Sequence, residues 1–110
     1  MKQYVIDELR PADYEKLKTY LEQHVSPGSL PGIYWIALEQ KLLNDLQAAH
    51  TECRPFYFAM ELRSDALASE FLIRTQNRLR CDCIGYAMEE QRQWIIRFAD
   101  SIFERLEIKT

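Results

Sequence analysis

His50-x-x-Cys53 and Cys81-x-Cys83 put an imidazole and three thiols into a chain of 110 residues. Zinc accepts these side-chain types, and a tetrahedral thiolate site with Zn–S of about 2.3 Å needs its sulfurs about 3.8 Å apart. The same thiols could be a redox pair if a positive environment lowered a thiol pKa, or simply small core residues, a role free cysteine often fills. Which chemistry is open to His50, Cys53, Cys81 and Cys83 depends on the elements that carry them.

Those elements are read from Phe56–Met88, which runs as three antiparallel strands: FYFAMELR, ALASEFLIRT and LRCDCIGYAM. Pairing register follows from the choice that gathers apolar residues on one face. A two-residue turn at Ser64-Asp65 sets Leu62 opposite Leu67, Phe58 opposite Phe71 and Phe56 opposite Ile73. A three-residue loop, Gln76-Asn77-Arg78, then sets Ile73 opposite Cys81 and Phe71 opposite Cys83; other loop lengths drive Arg80 and Asp82 toward the core, where an unpaired charge costs several kcal/mol. On this register the two cysteines face inward. They stand about 6.6 Å apart at Cα along one strand, and Cys53 lies two strand spacings, about 10 Å, from Cys81. The expectation is core cysteines, no metal and no cofactor.

The opposite face should carry Tyr57, Glu61, Glu70, Leu72, Arg74, Arg80, Asp82, Ile84 and Tyr86. Glu70 and Asp82 could work as a carboxylate pair, with Arg74 or Arg80 gripping an anion, but an open sheet face excludes water poorly. The apolar members, Tyr57, Leu72, Ile84 and Tyr86, suit contact with a second copy of the chain. An ordinary solvated face, with Arg80 paired to Glu70 or Asp82, needs no function at all.

Around this meander, Gln3–Leu9 reads as a strand. Pro11 to His24 reads as a helix, with Tyr14, Leu17, Leu21 and Val25 at helical spacing. Residues 26–32 (SPGSLPG) form a loop, and Ile33–Leu38 is a buried strand. Leu42, Leu43, Leu46 and Ala49 suggest a short helix, and Glu89–Glu107 a long one with Trp94, Ile95, Phe98, Ile102 and Leu106 along one stripe. The expected fold is one α+β domain over residues 1–110. It is a two-layer sandwich with a mostly antiparallel sheet in the order β-α-β-(α)-β-β-β-α and helices packed on one face.

Composition narrows the classes further. A net charge of −3 speaks against a protein devoted to gripping nucleic acid; Arg74, Arg78 and Arg80 at a hairpin tip are a weak phosphate signal on that background. Three glycines provide no phosphate-cradling loop. No run of about 18 apolar residues is present to span a bilayer. The start MKQYVIDELRP lacks the apolar core of a secretory signal, and an odd number of cysteines suits a reducing compartment, so the expectation is cytoplasmic. The first functional reading is a small non-enzymatic domain acting through a protein interface, homodimeric by its outward sheet face. The alternatives are a metal- or small-ligand-binding protein using the His/Cys cluster, and a small enzyme using the sheet-face carboxylates.

Overall fold

Proline at the first helical position gives up an N–H that would have no partner there, and helix α1 (Pro11–His24) begins at Pro11. Arg10, just before it, donates from both its backbone N–H and its guanidinium to Asp13, at 3.1 Å in each case. That closes the first turn and keeps the buried Asp13 carboxyl below its ordinary 3.8. Leu17 and Leu21, one helical turn apart, are fully buried.

The computed structural model describes residues 2–27, 30–75 and 81–109. Among these, the strands are β1 (Gln3–Ile6), β2 (Ser26–Pro27), β3 (Ile33–Ala37), β4 (Phe56–Leu62), β5 (Leu67–Glu70), β6 (Leu72–Thr75) and β7 (Gly85–Tyr86). The other helices are α2 (Asp45–Ala49) and α3 (Glu89–Arg105), with 3-10 turns at Gln40–Leu42 and Thr51–Cys53. The sheet runs β1-β5-β4-β3-β2, every pairing antiparallel, with β6 continuing beside β4 and β7 beside β6. This is the expected α+β sandwich.

Both long helices lie on one sheet face. Tyr34 pairs with Met60 and Ile36 with Phe58, and these four side chains are buried. Phe58 meets Trp94 and Phe98 of α3 edge-on, at 6.1 and 6.2 Å between ring centroids. Tyr4 of β1 donates its hydroxyl to Asp100 of α3 at 2.6 Å. Where β3 begins, Gly32 takes a φ of +81°, and a Cβ there would sit 3.2 Å from the Leu62 carbonyl oxygen, so the turn into the sheet requires glycine.

The meander departs from its predicted register in two places. Leu62 does face Leu67, and Met60 faces Ser69. Tyr57, however, faces Arg74 and Phe56 faces Thr75, not Ile73. Three steps along β4, Met60 to Tyr57, are thus matched by five along its neighbour, Ser69 to Arg74, and two extra residues bulge out at Phe71. Phe71 gives its backbone groups away from β4: its N–H donates to Lys2 O at 3.1 Å and its carbonyl accepts from Ala87 N–H at 2.7 Å. The second departure concerns the third strand. Ile73 faces Gly85 and Leu72 faces Tyr86, so the residue opposite Ile73 is Gly85 and not Cys81. Of LRCDCIGYAM only Gly85–Tyr86 is strand among the described residues; the predicted loop Gln76-Asn77-Arg78, with Arg80, lies outside them.

Candidate metal centre

Cys53 is brought to the end of the sheet by the chain's path out of α2. His50 ends that helix and starts the 3-10 turn Thr51–Cys53, in which Cys53 N–H donates to His50 O at 3.0 Å. The following Arg54–Pro55 leads into β4, and the hydroxyl of Thr75, at the end of β6, donates to the Cys53 carbonyl. Thr75 pairs with Phe56, the first residue of β4. Cys53 therefore folds back over the end of β6 instead of extending β4, and its side chain is fully buried.

Cys81-Asp82-Cys83-Ile84 is a tight turn, closed by Ile84 N–H donating to Cys81 O at 3.0 Å. Turns favour aspartate at such positions, and Asp82 is exposed there. The chain then enters β7 alongside β6, which sets the turn beyond Ile73, at the same end of the sheet as Cys53. Cys83 is 2% exposed and Cys81 is half-buried against the core. The strand geometry that kept Cys81 and Cys83 apart, and both away from Cys53, is therefore corrected: a turn replaces the strand.

The result is a triangle of sulfurs. Cys53 Sγ and Cys81 Sγ are 3.8 Å apart, and the three Sγ atoms of Cys53, Cys81 and Cys83 all lie within 4.8 Å of one another. No two are joined as a disulfide. The backbone N–H and thiol of Cys83 aim at Cys81, and with the Cys53 thiol and the charge of His50 they hold the Cys81 thiol below its ordinary 9.0. Burial first, then hydrogen bonding with Cys81 and Cys53, pushes the Cys83 thiol up to about 12.

His50, three residues before Cys53, lies outside the 4.8 Å set. Its Nδ1 is 2.7 Å from the Leu46 carbonyl oxygen. A carbonyl can only accept, so Nδ1 carries a proton, and in the neutral ring Nε2 presents a lone pair.

Two buried glutamines fasten the cysteine turn to the helices. Gln47 Nε2 donates to Cys83 O at 3.4 Å, while Gln47 Oε1 accepts from Gln91 Nε2 at 2.9 Å and from Asn44 N–H at 3.1 Å. Gln91 Nε2 also donates to Leu42 O at 2.8 Å, and Gln91 Oε1 accepts from Met88 N–H at 3.0 Å, capping α3. The pattern Asn44-x-x-Gln47 is a capping signature that the hydrophobic periodicity of this segment does not reveal. A cleft of about 700 Å³ opens on the other side of this chain of amides, between Lys41–Leu46 and Met88–Gln91.

The predicted outward face is distributed differently. Tyr57 lies edge-on to Trp35 at 6.0 Å, Arg74 stacks over Trp35 at 5.9 Å, and Arg74 donates to Glu70 at 2.8 Å. Arg74 is thus engaged by Glu70 and the indole. Asp82 sits in the cysteine turn and not in a row with Tyr57 and Leu72. Leu72 and Ile84 are half-buried, and Ile84 packs against the core. Tyr86 is 45% exposed, with Lys2 over its ring at 5.3 Å.

No protein-family model, curated protein or solved structure matches this chain. None of the described helices is long and apolar enough to cross a membrane.

Proposed function

We propose that this domain binds zinc through the thiolates of Cys53, Cys81 and Cys83, and that the metal is a structural staple joining the approach to β4 to the turn before β7. The observation that carries this reading is the sulfur triangle. The 3.8 Å between Cys53 and Cys81 equals the separation of about 3.8 Å that a tetrahedral thiolate site demands, and the remaining gaps, at most 4.8 Å, need to close by only about 1 Å. Soft thiolates select zinc or copper(I) over magnesium or calcium. Two of the sulfurs are buried, which suits a closed site more than one open to substrate. Reduced thiols also suit a cytoplasmic setting.

Elemental analysis of the protein purified without chelator tests this. About one zinc per chain is expected, as for a single tetrahedral site, and it should vanish in Cys83→Ala. Metal below a tenth of an equivalent, or the same content in the variant, would overturn the reading; copper in place of zinc would reassign the metal.

A second reading, self-association, is favoured by the sheet face opposite Phe58 and Met60, which carries Trp35, Tyr57 and Val5. Val5 is 39% exposed. Sedimentation of the wild type and of Val5→Glu checks it: a dimer that the substitution splits is expected, and a monomeric wild type ends the idea.

A further inference from the structure

We infer that His50 Nε2 is the fourth ligand, making the centre a closed three-sulfur, one-nitrogen site; this rests on the three-sulfur reading above. Two features point to it. His50 caps the 3-10 turn that Cys53 ends, and the bond from Cys53 N–H to His50 O holds the two residues together at its ends. The bond between Nδ1 and Leu46 O at 2.7 Å fixes the tautomer that leaves Nε2 to ligate, and zinc-bound histidines are commonly held in this way by a carbonyl on the other ring nitrogen.

The ring lies outside the sulfur set, so ligation requires the His50 side chain and the turn to close on the metal. The rival donor is Asp82, the carboxylate between Cys81 and Cys83. It is exposed, and a hard oxygen suits a thiolate-rich site less well than an imidazole does. With His50 in place no coordination position remains for substrate, and the metal serves the fold.

X-ray absorption on the zinc-loaded full chain, with absorption spectra of the cobalt(II)-loaded form, decides the matter. For the wild type, three sulfurs at about 2.3 Å and one imidazole nitrogen at about 2.0 Å are expected. In His50→Ala the imidazole scattering should disappear, zinc affinity should fall at least about tenfold, and added free imidazole should restore the wild-type cobalt spectrum. Unchanged spectra and affinity in His50→Ala would overturn the assignment while leaving the three-sulfur site standing. A change in Asp82→Asn in its place would pass the role to the carboxylate. A wild type that takes up neither zinc nor cobalt would remove the underlying metal reading as well.

Discussion

The Sγ atoms of Cys53 and Cys81 lie 3.8 Å apart across 28 residues of chain. Neither sits on a strand: one ends a 3-10 turn and the other opens a tight turn. Their meeting depends on the end of β6, where Thr75 ties down the Cys53 carbonyl while its backbone pairs with Phe56.

Zinc should therefore stabilise the whole domain. Structural zinc contributes on the order of 10 kcal/mol of apparent binding free energy, enough to rival the total stability of a small domain. Chelator added to the wild type should lower the thermal midpoint by more than ten degrees, on the order expected for a loss of several kcal/mol. In Cys83→Ala, chelator should change nothing. Coincident melting curves for the wild type with and without chelator would contradict a stapling role.

Thiol reactivity should follow exposure and charge. Cys81 is half-buried and its thiol is held below the ordinary 9.0, whereas Cys53 and Cys83 are enclosed and the Cys83 thiol is pushed up to about 12. In metal-free protein at neutral pH, iodoacetamide should label Cys81 first, and saturating zinc should suppress that labelling. Peptide mass spectrometry reads the order; faster labelling of Cys83 would contradict it.

Gln47 is the link between the cysteine turn and α3. Gln47→Leu leaves the Cys83 carbonyl without its donor and Gln91 Nε2 with one acceptor in place of two, and an unsatisfied buried polar group costs about 1–3 kcal/mol. Denaturant unfolding should show a loss of that order. Zinc affinity should fall by roughly ten- to a hundredfold, as when an outer-shell partner is removed. Equal affinity in the variant would mean that the turn holds its shape without the amide.

Asp13 supplies an acid-sensitive contact. Its folded carboxyl is held below the ordinary 3.8, first by the hydrogen bond from the Arg10 side chain, so the fold favours the ionised form. The resulting stability is fully present above the ordinary value and is lost as pH falls through the depressed one. Asp13→Asn should be less stable than the wild type at neutral pH, and the gap should shrink in strong acid. Urea unfolding across that range measures it; a gap that widens toward low pH would have the wrong sign.

Much of the scaffold was legible because periodicity marks it. Pro11 to His24, the core strand beginning at Phe56 and the stripe from Trp94 through Ile102 occupy the predicted elements. The cysteine centre was not. Cys81-Asp82-Cys83-Ile84-Gly85-Tyr86 alternates as a strand would, yet its first half is a turn, and two-residue alternation has no way to register a turn that happens to fall in phase. Asp82 was the available signal, a turn-forming residue in a run otherwise suited to a strand. The bulge at Phe71 was equally hidden. Two extra residues leave the inward and outward assignment of Ile73 and Arg74 unchanged, so the face argument holds while the partners move. Glu70 and Arg74 then become bonded neighbours, a pairing that a straight strand does not provide.

That even-numbered insertion gives the β5–β6 junction a reading frame. Deleting one residue at Phe71 would invert everything as far as Thr75, turning Arg74 into hydrocarbon and Ile73 out to water, and the chain should fail to fold. Deleting two would restore the phase and straighten the ribbon, leaving Arg74 opposite Tyr57 and Thr75 opposite Phe56. The double deletion should thus yield a folded domain that keeps the Cys53 anchor but lacks the Phe71 carbonyl that Ala87 N–H holds, the tether on the far side of the cysteine turn.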